Sequence, residues 1–471
     1  MSVAAIAARP AGTRPSGGAC HPSLVSAPSA AVFLLATAVA IMRARSYPLS
    51  IGTLVASRTR IFFGWWVVFA SATILFLTGG TFFYGFGALF NPIVDEFGWS
   101  RAATSLAFSV RTEVGGIAAP IVGFVVDRVG PRRLMVFGVV TVALGFVLLS
   151  RIQDLWTFYG SIVVIAIGMS AAAGPVGMVA VAYWFRRRRG RAFAWMAMGS
   201  GASGVMVVVL AWLISTFDWR NALLIIAAVQ FAVCIPLALS IRNRPEDLGL
   251  LPDGDLEDGS AGESGAHARF AEPEGLTVGQ ALHTAAFWRI AGALGVGNAG
   301  AVAIIVHTIP FLTKSVGLSE GLAAASVTAM ILLSLGGRFG FGVLADQVDK
   351  RFIMAGSYAL LALAVLLFAT VFRGWQVVYV LPLFGLGWGG IIPVRPALQA
   401  EVFGMRAFGA IQGLAFTIAT LGGLAGPVFA GWMYDQTDSY RLAFVILGIA
   451  GFLAVPLILT LQPPRQPAAA A

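Results

Sequence analysis

Charged side chains are scarce in this sequence. Lys, Arg, Asp and Glu together make up 11% of its 471 residues, against about 25% in an ordinary soluble domain. That is too little charge to solvate a globular surface of this size, so lipid is the natural solvent for most of the chain. A soluble enzyme and a disordered chain are both excluded. Cysteine is almost absent. Cys20 lies in the N-terminal stretch and Cys234 in an apolar run, which leaves no disulfide framework and no metal cluster. Acid is missing from the start of the chain, where Asp95 is the first acidic residue.

What is present is apolar. Hydrophobic residues make up 58% of the sequence, and the mean hydropathy is +0.86. The 56 Gly and 22 Pro follow no collagen period; they sit inside apolar runs, where membrane helices tolerate them. The formal net charge is +10. In a soluble protein this balance would point to nucleic acid; in a membrane protein it marks Arg-rich cytoplasmic loops, and no nucleic-acid partner is expected.

Residues 1–60 hold six Arg, eight Ser and no acid, and read as an N-terminal tail. Its apolar run at 31–42 is too short to span a hydrocarbon core about 30 Å thick. From residue 61 onward, apolar stretches of membrane length alternate with short polar punctuation. The predicted spans are 64–91, 102–126, 133–150, 156–184, 191–214 and 221–241, then 286–312, 321–344, 352–372, 376–400, 407–432 and 441–461. One long break separates these two sets of six, at 242–285, where nine acids fall between Glu246 and Glu274. This composition is that of a linker. The expectation is an all-α membrane protein with an N-terminal six-helix half (61–241), a cytoplasmic linker, a C-terminal six-helix half (286–462) and a short tail (463–471).

The halves repeat. Gly123-Phe-Val-Val-Asp127 returns as Gly342-Val-Leu-Ala-Asp346, 219 residues later. Gly98-Trp99-Ser100 and Gly317-Leu318-Ser319 share that offset, as do Gly190 and Gly409, while Arg220 and Arg441 are 221 apart. Three landmarks on one offset and a fourth slipped by two indicate duplication of a six-helix unit. Parallel repeats of this kind build transporters with the substrate between the halves. With both termini cytoplasmic, 22 of the 31 Lys and Arg fall on the cytoplasmic side and six on the outside. This bias sets the orientation and accounts for the basic balance.

The loop after the second span reads Gly123-Phe-Val-Val-Asp127-Arg128-Val-Gly130-Pro131-Arg132-Arg133. Here the sequence resembles the major facilitator superfamily, over about residues 61–462. The resemblance implies a twelve-helix fold in two pseudo-symmetric halves and a multi-pass protein of the plasma membrane, in a bacterium the inner membrane. Gly123 allows close helix approach. Asp127 is suited to pair with Arg or to cap the N-terminus of a facing helix. With Arg128, Arg132 and Arg133 it forms a candidate cytoplasmic gate; orientation signalling alone is the other reading. The second copy, with Asp346, Lys350 and Arg351, has Gln347 in place of Arg128 and reads as the weaker of the two.

A narrower resemblance is to the monocarboxylate transporter and oxalate/formate antiporter branch. It rests on Gly64-Trp65-Trp66, Tyr84-Gly85-Phe86-Gly87, Glu96-Phe97-Gly98-Trp99-Ser100-Arg101, Gly337-Arg338-Phe339-Gly340 and the segment from Phe403 to Gly413. The resemblance implies that Arg338, in span 8, holds a substrate carboxylate. A charge within a span costs at least about 2.5–3.5 kcal/mol, and a guanidinium fits a carboxylate bidentately. The alternative is a structural pair near the cytoplasmic end. Two departures are visible. Ser334 stands where monocarboxylate transporters carry Asp, and span 11 offers Gln412 where oxalate carriers have Lys. A single carboxylate therefore suits one arginine better than two carboxylates do, with Arg111 and Arg395 leaving a dicarboxylate open.

Further candidates follow from polarity inside spans. Arg111 and Glu113 lie deep in span 2 and point about 200° apart, so they are not a simple mutual pair. Arg111 is a candidate for the substrate, and Glu113 a candidate proton carrier, since burial raises a carboxylate pKa. Arg395, between Pro393 and Pro396, is expected at a helix break, lining the cavity or snorkelling to the cytoplasmic face. Asn298 and Tyr84 are weaker candidates for the anion, and His307 for proton transfer.

The function expected is secondary transport of a small organic anion, a monocarboxylate, by proton symport or anion exchange. A monomer is expected, and no cofactor. Export of a hydrophobic, drug-like compound by the same fold is the alternative. No nucleophile–base pair or Walker loop supports an enzyme.

Overall fold

The computed structural model describes residues 62–254 and 274–462. The N-terminal tail, the acidic centre of the linker and the segment 463–471 lie outside the described residues. Among the described residues, eleven helices are long and apolar enough to cross a membrane. In chain order these are α1 (Phe63–Phe90), then α3 (Pro131–Leu149), α4 (Leu155–Trp184), α5 (Arg189–Phe217), α6 (Trp219–Ser240), α7 (Ala285–Lys314), α8 (Glu320–Leu344), α9 (Lys350–Phe368), α10 (Gly374–Phe403), α11 (Phe408–Thr437) and α12 (Arg441–Leu459). The twelfth, α2 (Arg101–Val129), has 29 residues, length enough to cross. Its charges at Arg111, Glu113, Asp127 and Arg128 lower its hydropathy. Each helix lies within about a turn of a predicted span.

Local chemistry sets the ends and breaks. Gly98 and Gly317 take left-handed backbone, φ 64° and 78°, and Ser100 and Ser319 then cap α2 and α8 by accepting from Ala103 N and Leu322 N. The same Gly-x-Ser device thus opens the second helix of each half. In α4, Gly174 (φ 50°) precedes Pro175, which restarts the helix at its first position. In α1 the backbone widens into a π turn at Gly79–Tyr84, a feature frequent at functional sites. In contrast to the break expected at Arg395, α10 runs unbroken from Val377 through Pro393 and Pro396 to Phe403. The two prolines remove two amide donors, but α8 and α9 pack along α10 and keep it helical.

The C-terminal half encloses a large core built around Phe311, Tyr358, Phe368, Phe384 and Phe444, with a small cluster at Ala303, Ala430, Met433 and Ala443 beside it. The N-terminal half has two, one around Trp184 and Phe193 and one around Phe146 and Phe158. Large apolar side chains such as Ile117, Ile121, Val208, Leu332 and Val428 point outward, as a lipid-facing belt requires. The slipped landmark also has a structural meaning. Arg220 Nη2 donates to Ile152 O, and Arg441 Nη2 to Val371 O. Each arginine ties the start of its sixth helix to the loop after the third.

The halves meet along α2–α11 and α5–α8, where backbone touches backbone. A Cβ on Gly123 would lie 2.1 Å from Gly409 O, and one on Gly190 would lie 2.2 Å from Gly342 O. A Cβ on Gly115 of the same helix would meet nothing within 4 Å. Gly123→Ala is therefore expected to cost about 1–3 kcal/mol through overpacking, whereas Gly115→Ala is neutral or slightly stabilising. Thermal unfolding in detergent checks this; equal melting temperatures for the two variants would show that the seam is loose.

Candidate functional site

The seam brings together the signature aspartates and two glycines whose part in the contact the sequence left unread. Gly409 N and Ala410 N, at the start of α11, donate to Asp127 Oδ1 and Oδ2, both at 2.9 Å. Gly190 N and Arg191 N, at the start of α5, donate to Asp346 Oδ1 and Oδ2 at 2.7 and 3.0 Å. Each carboxylate caps a helix N-terminus of the opposite half, where the helix dipole favours negative charge. The two locks are copies of each other: Asp127 and Asp346 are 219 apart, and so are Gly190 and Gly409. The second copy is not the weaker. It adds an ion pair, Arg191 Nε to Asp346 Oδ2 at 3.5 Å. Burial pushes the Asp346 carboxyl above the usual carboxylate range, while the Arg191 and Gly190 amides and the Arg191 and Lys350 charges draw it back.

The described contacts of the remaining signature residues are to their own half or to the linker. Arg128 lies over the Phe124 ring, 3.9 Å from its centroid. Arg132 N donates to Asn243 Oδ1 at 3.1 Å, and Arg133 is exposed. Lys350 pairs with Glu401 at 2.7 Å and Arg351 with Asp349 at 2.6 Å.

The linker reaches both locks. Arg186 N, Arg187 N and Arg188 N, in the turn that enters α5, all donate to the Asp253 carboxylate. Met405 N, in the turn that enters α11, donates to Glu274 O at 2.8 Å, and Leu276 N donates back to Phe403 O at 2.9 Å. Positions 186 and 405 are again 219 apart.

Three arginines lie inside the bundle in different settings. Arg338, 4% exposed, crosses the seam: its Nη1 donates to Ala197 O and Ser200 Oγ of α5, both at 2.7 Å. Arg111 is tied within the N-terminal half, Nη1 donating to Phe82 O of the π turn at 3.2 Å. The same turn is braced from α6, where Gln230 Nε2 donates to Thr81 Oγ1 and Leu77 O. Nothing in the spacing of the sequence marked Gln230. Arg395 has softer surroundings, with Met178 Sδ at 4.0 Å and the Phe416 ring at 5.7 Å.

Asn298 Nδ2 donates to Ala419 O at 2.6 Å. His307 Nε2 lies 3.0 Å from Pro427 O; a carbonyl only accepts, so this nitrogen carries the proton in that contact. Both residues brace α7 against α11. The side chains of Tyr84 and Glu113 lie outside the described residues.

With this geometry in view, the comparisons are informative. The model of the Major Facilitator Superfamily matches residues 70–425, with a second match at 291–471. The chain belongs to this superfamily, and is a membrane transporter rather than an enzyme. It is 23% identical over 377 residues to the oxalate:formate antiporter of Oxalobacter formigenes, covering 78% of this chain and 84% of that one. It is 26% identical over 389 residues to monocarboxylate transporter 13 of Rattus norvegicus, covering 82% and 86%. Its fold is similar to that of the human organic anion transporter MFSD10 (TETRAN), with TM-score 0.62 and 15% identity over 83% of this chain and 98% of that one. It is also similar to FucP, with TM-score 0.61 and 16% identity over 83% and 97%. The relatives fall in the branch that the sequence resembles.

Removing a cap acceptor costs about 0.5–2 kcal/mol. Asp127→Ala and Asp346→Ala are each expected to shift the bundle toward opening at this end, and the double variant further. Distances between spin labels at the start of α5 and the end of α8, where Gly190 meets Gly342, report it. Distributions unchanged in the double variant would show that the aspartates do not hold the seam.

Proposed function

We propose that this transporter carries a small organic anion, a monocarboxylate, across the plasma membrane by alternating access, with proton symport or anion exchange. In this reading both termini and the linker face the cytoplasm, so the two aspartate locks close the cytoplasmic side. The observation that carries the reading is Arg338. It is buried in the seam, on α8, with both of the acceptors named above on α5 of the opposite half. A carboxylate that takes the guanidinium engages a group whose two described acceptors belong to the other half. Binding then bears on the contact that alternating access has to break, which is how a ligand shifts a two-state equilibrium. One deep guanidinium in this place suits one carboxylate. The likeness to monocarboxylate carriers and to the oxalate:formate antiporter supports the same substrate class.

The other candidates take supporting places. Arg111, held on the π turn of α1, is proposed to set the shape of the site from the N-terminal half. Glu113, two residues on, is the proposed proton carrier. Asn298 and His307 are occupied by carbonyls of α11 and serve the site by fixing that helix.

Uptake of labelled acetate, lactate and oxalate into proteoliposomes, at two pH values, tests this reading. Monocarboxylate uptake is expected to fall at least about a hundredfold in Arg338→Ala, the order of a lost charge-assisted bidentate contact, and Arg338→Lys to recover only part of it. Normal uptake by Arg338→Ala would overturn the carboxylate assignment.

A further inference from the structure

Of the ten buried side-chain polar atoms without a hydrogen-bond partner among the described residues, six belong to four residues of α9, α10 and α11 in the C-terminal half. They are Arg395 Nε, Tyr358 Oη and both amide atoms of Gln399 and of Gln412. Gln399 and Gln412 are 1% and 2% exposed. Each such atom costs about 1–3 kcal/mol where it stays unpaired, so a cluster of them calls for a state in which they are paired.

Their positions converge. Arg395 and Gln399 are one turn apart on α10, and Gln412 and Phe416 one turn apart on α11, so each pair shares a helix face. The helices run antiparallel, and Arg395 sits over the Phe416 ring. Gln399 and Gln412 therefore lie at one level, a turn nearer the linker end than Arg395. Below them come Gly409 and Ala410, the residues held by Asp127. Part of the cover over Arg395 comes from the other half: Met178 is on α4. Enclosed as it is, Arg395 keeps some accessible surface. When the lock at Gly409 opens, Met178 moves off with the N-terminal half, and a guanidinium and two amides face the widening gap.

We propose that Arg395, Gln399 and Gln412 form a second carboxylate site, apart from Arg338, which is uncovered when the cytoplasmic end opens and holds the anion on its way between the centre and the cytoplasm. The orientation and the nature of the anion rest on the function proposed above. The guanidinium supplies charge, and the amides supply donors that have no partner while the end is closed.

The test places a thiol beside the site. Met178→Cys is made in a background of Cys20→Ser and Cys234→Ala, with Phe416→Cys as a second reporter should the first fail to fold. Inside-out vesicles are treated at the cytoplasmic face with two impermeant methanethiosulfonates, the anionic sulfonatoethyl and the cationic trimethylammonioethyl reagent. The anionic reagent is expected to react at least about tenfold faster, as a nearby positive charge in a medium of reduced dielectric requires, and acetate to slow it. Arg395→Gln should bring the two rates within about twofold of each other and remove the protection. Gln399→Leu with Gln412→Leu should keep the charge preference and lose part of the protection. No labelling at either reporter, or a charge preference that survives Arg395→Gln, overturns the site. Acetate uptake measured in parallel separates the two readings. Uptake that depends on Arg338 without charge-selective labelling leaves transport standing and removes this site; charge-selective labelling without uptake does the reverse.

Discussion

The relation between the two halves depends on four glycines and two carboxylates at one end of the bundle. Gly123 faces Gly409 O, and Gly190 faces Gly342 O, at a distance where no side chain fits. Only this approach brings Asp127 and Asp346 onto the amides of the facing helix. The attachment is short in range. Its hydrogen bonds are 2.7–3.0 Å long and are lost once stretched past about 3.5 Å. The locks themselves use short carboxylates; the long side chains described across the seam include Arg191, in its ion pair, and Arg338, deeper in the bundle. A contact with these properties is either made or broken, and that is the behaviour required of a bistable element in a rocking transporter.

The interior charges depend on the same seam in different degrees. The hydrogen bonds described for Arg338 end on the opposite half, while that of Arg111 ends on the π turn of its own half. Separation of the halves therefore alters the surroundings of Arg338 and leaves the Phe82 contact of Arg111 in place. The described contacts of Arg338 thus depend on the seam, whereas the Phe82 contact of Arg111 does not. Thr417 Oγ1, which donates to Gly116 O across α11 and α2 at 2.8 Å, adds a neutral tie on the same line.

Much of the fold was legible because lipid imposes a simple code. Span lengths follow from bilayer thickness and helix rise, and the Gly-x-Ser caps of α2 and α8 are local chemistry. The partners in the seam were harder to read for a geometrical reason. An offset of 219 relates symmetry mates, Gly123 to Gly342 and Gly190 to Gly409, but a residue at the seam touches the mate of a different position. All four glycines were visible as landmarks, yet their pairing needed the fold. Arg338 stood out by its charge, whereas its acceptors, a carbonyl and a serine, have no signature. Gln230 was missed because a lone Gln in an apolar run looks like many others. The proline pair around Arg395 suggested a break; packing against α8 and α9 overrode it.

The linker enters this mechanics in a way its composition did not foretell. Acid-rich and punctuated by Pro and Gly, it reads as a tether, but its two described ends grip the turns that present the lock donors. Asp253 gathers the amides of Arg186, Arg187 and Arg188 just before Gly190. Glu274 O holds Met405 N just before Gly409. A helix N-terminus presents its amides to a carboxylate only if the preceding turn is held in place, because those amides have no partner within the helix. One linker thus orients both receiving helices, one in each half, from the same end of the molecule. Its described ends belong to the locks, at two turns that the internal repeat made equivalent.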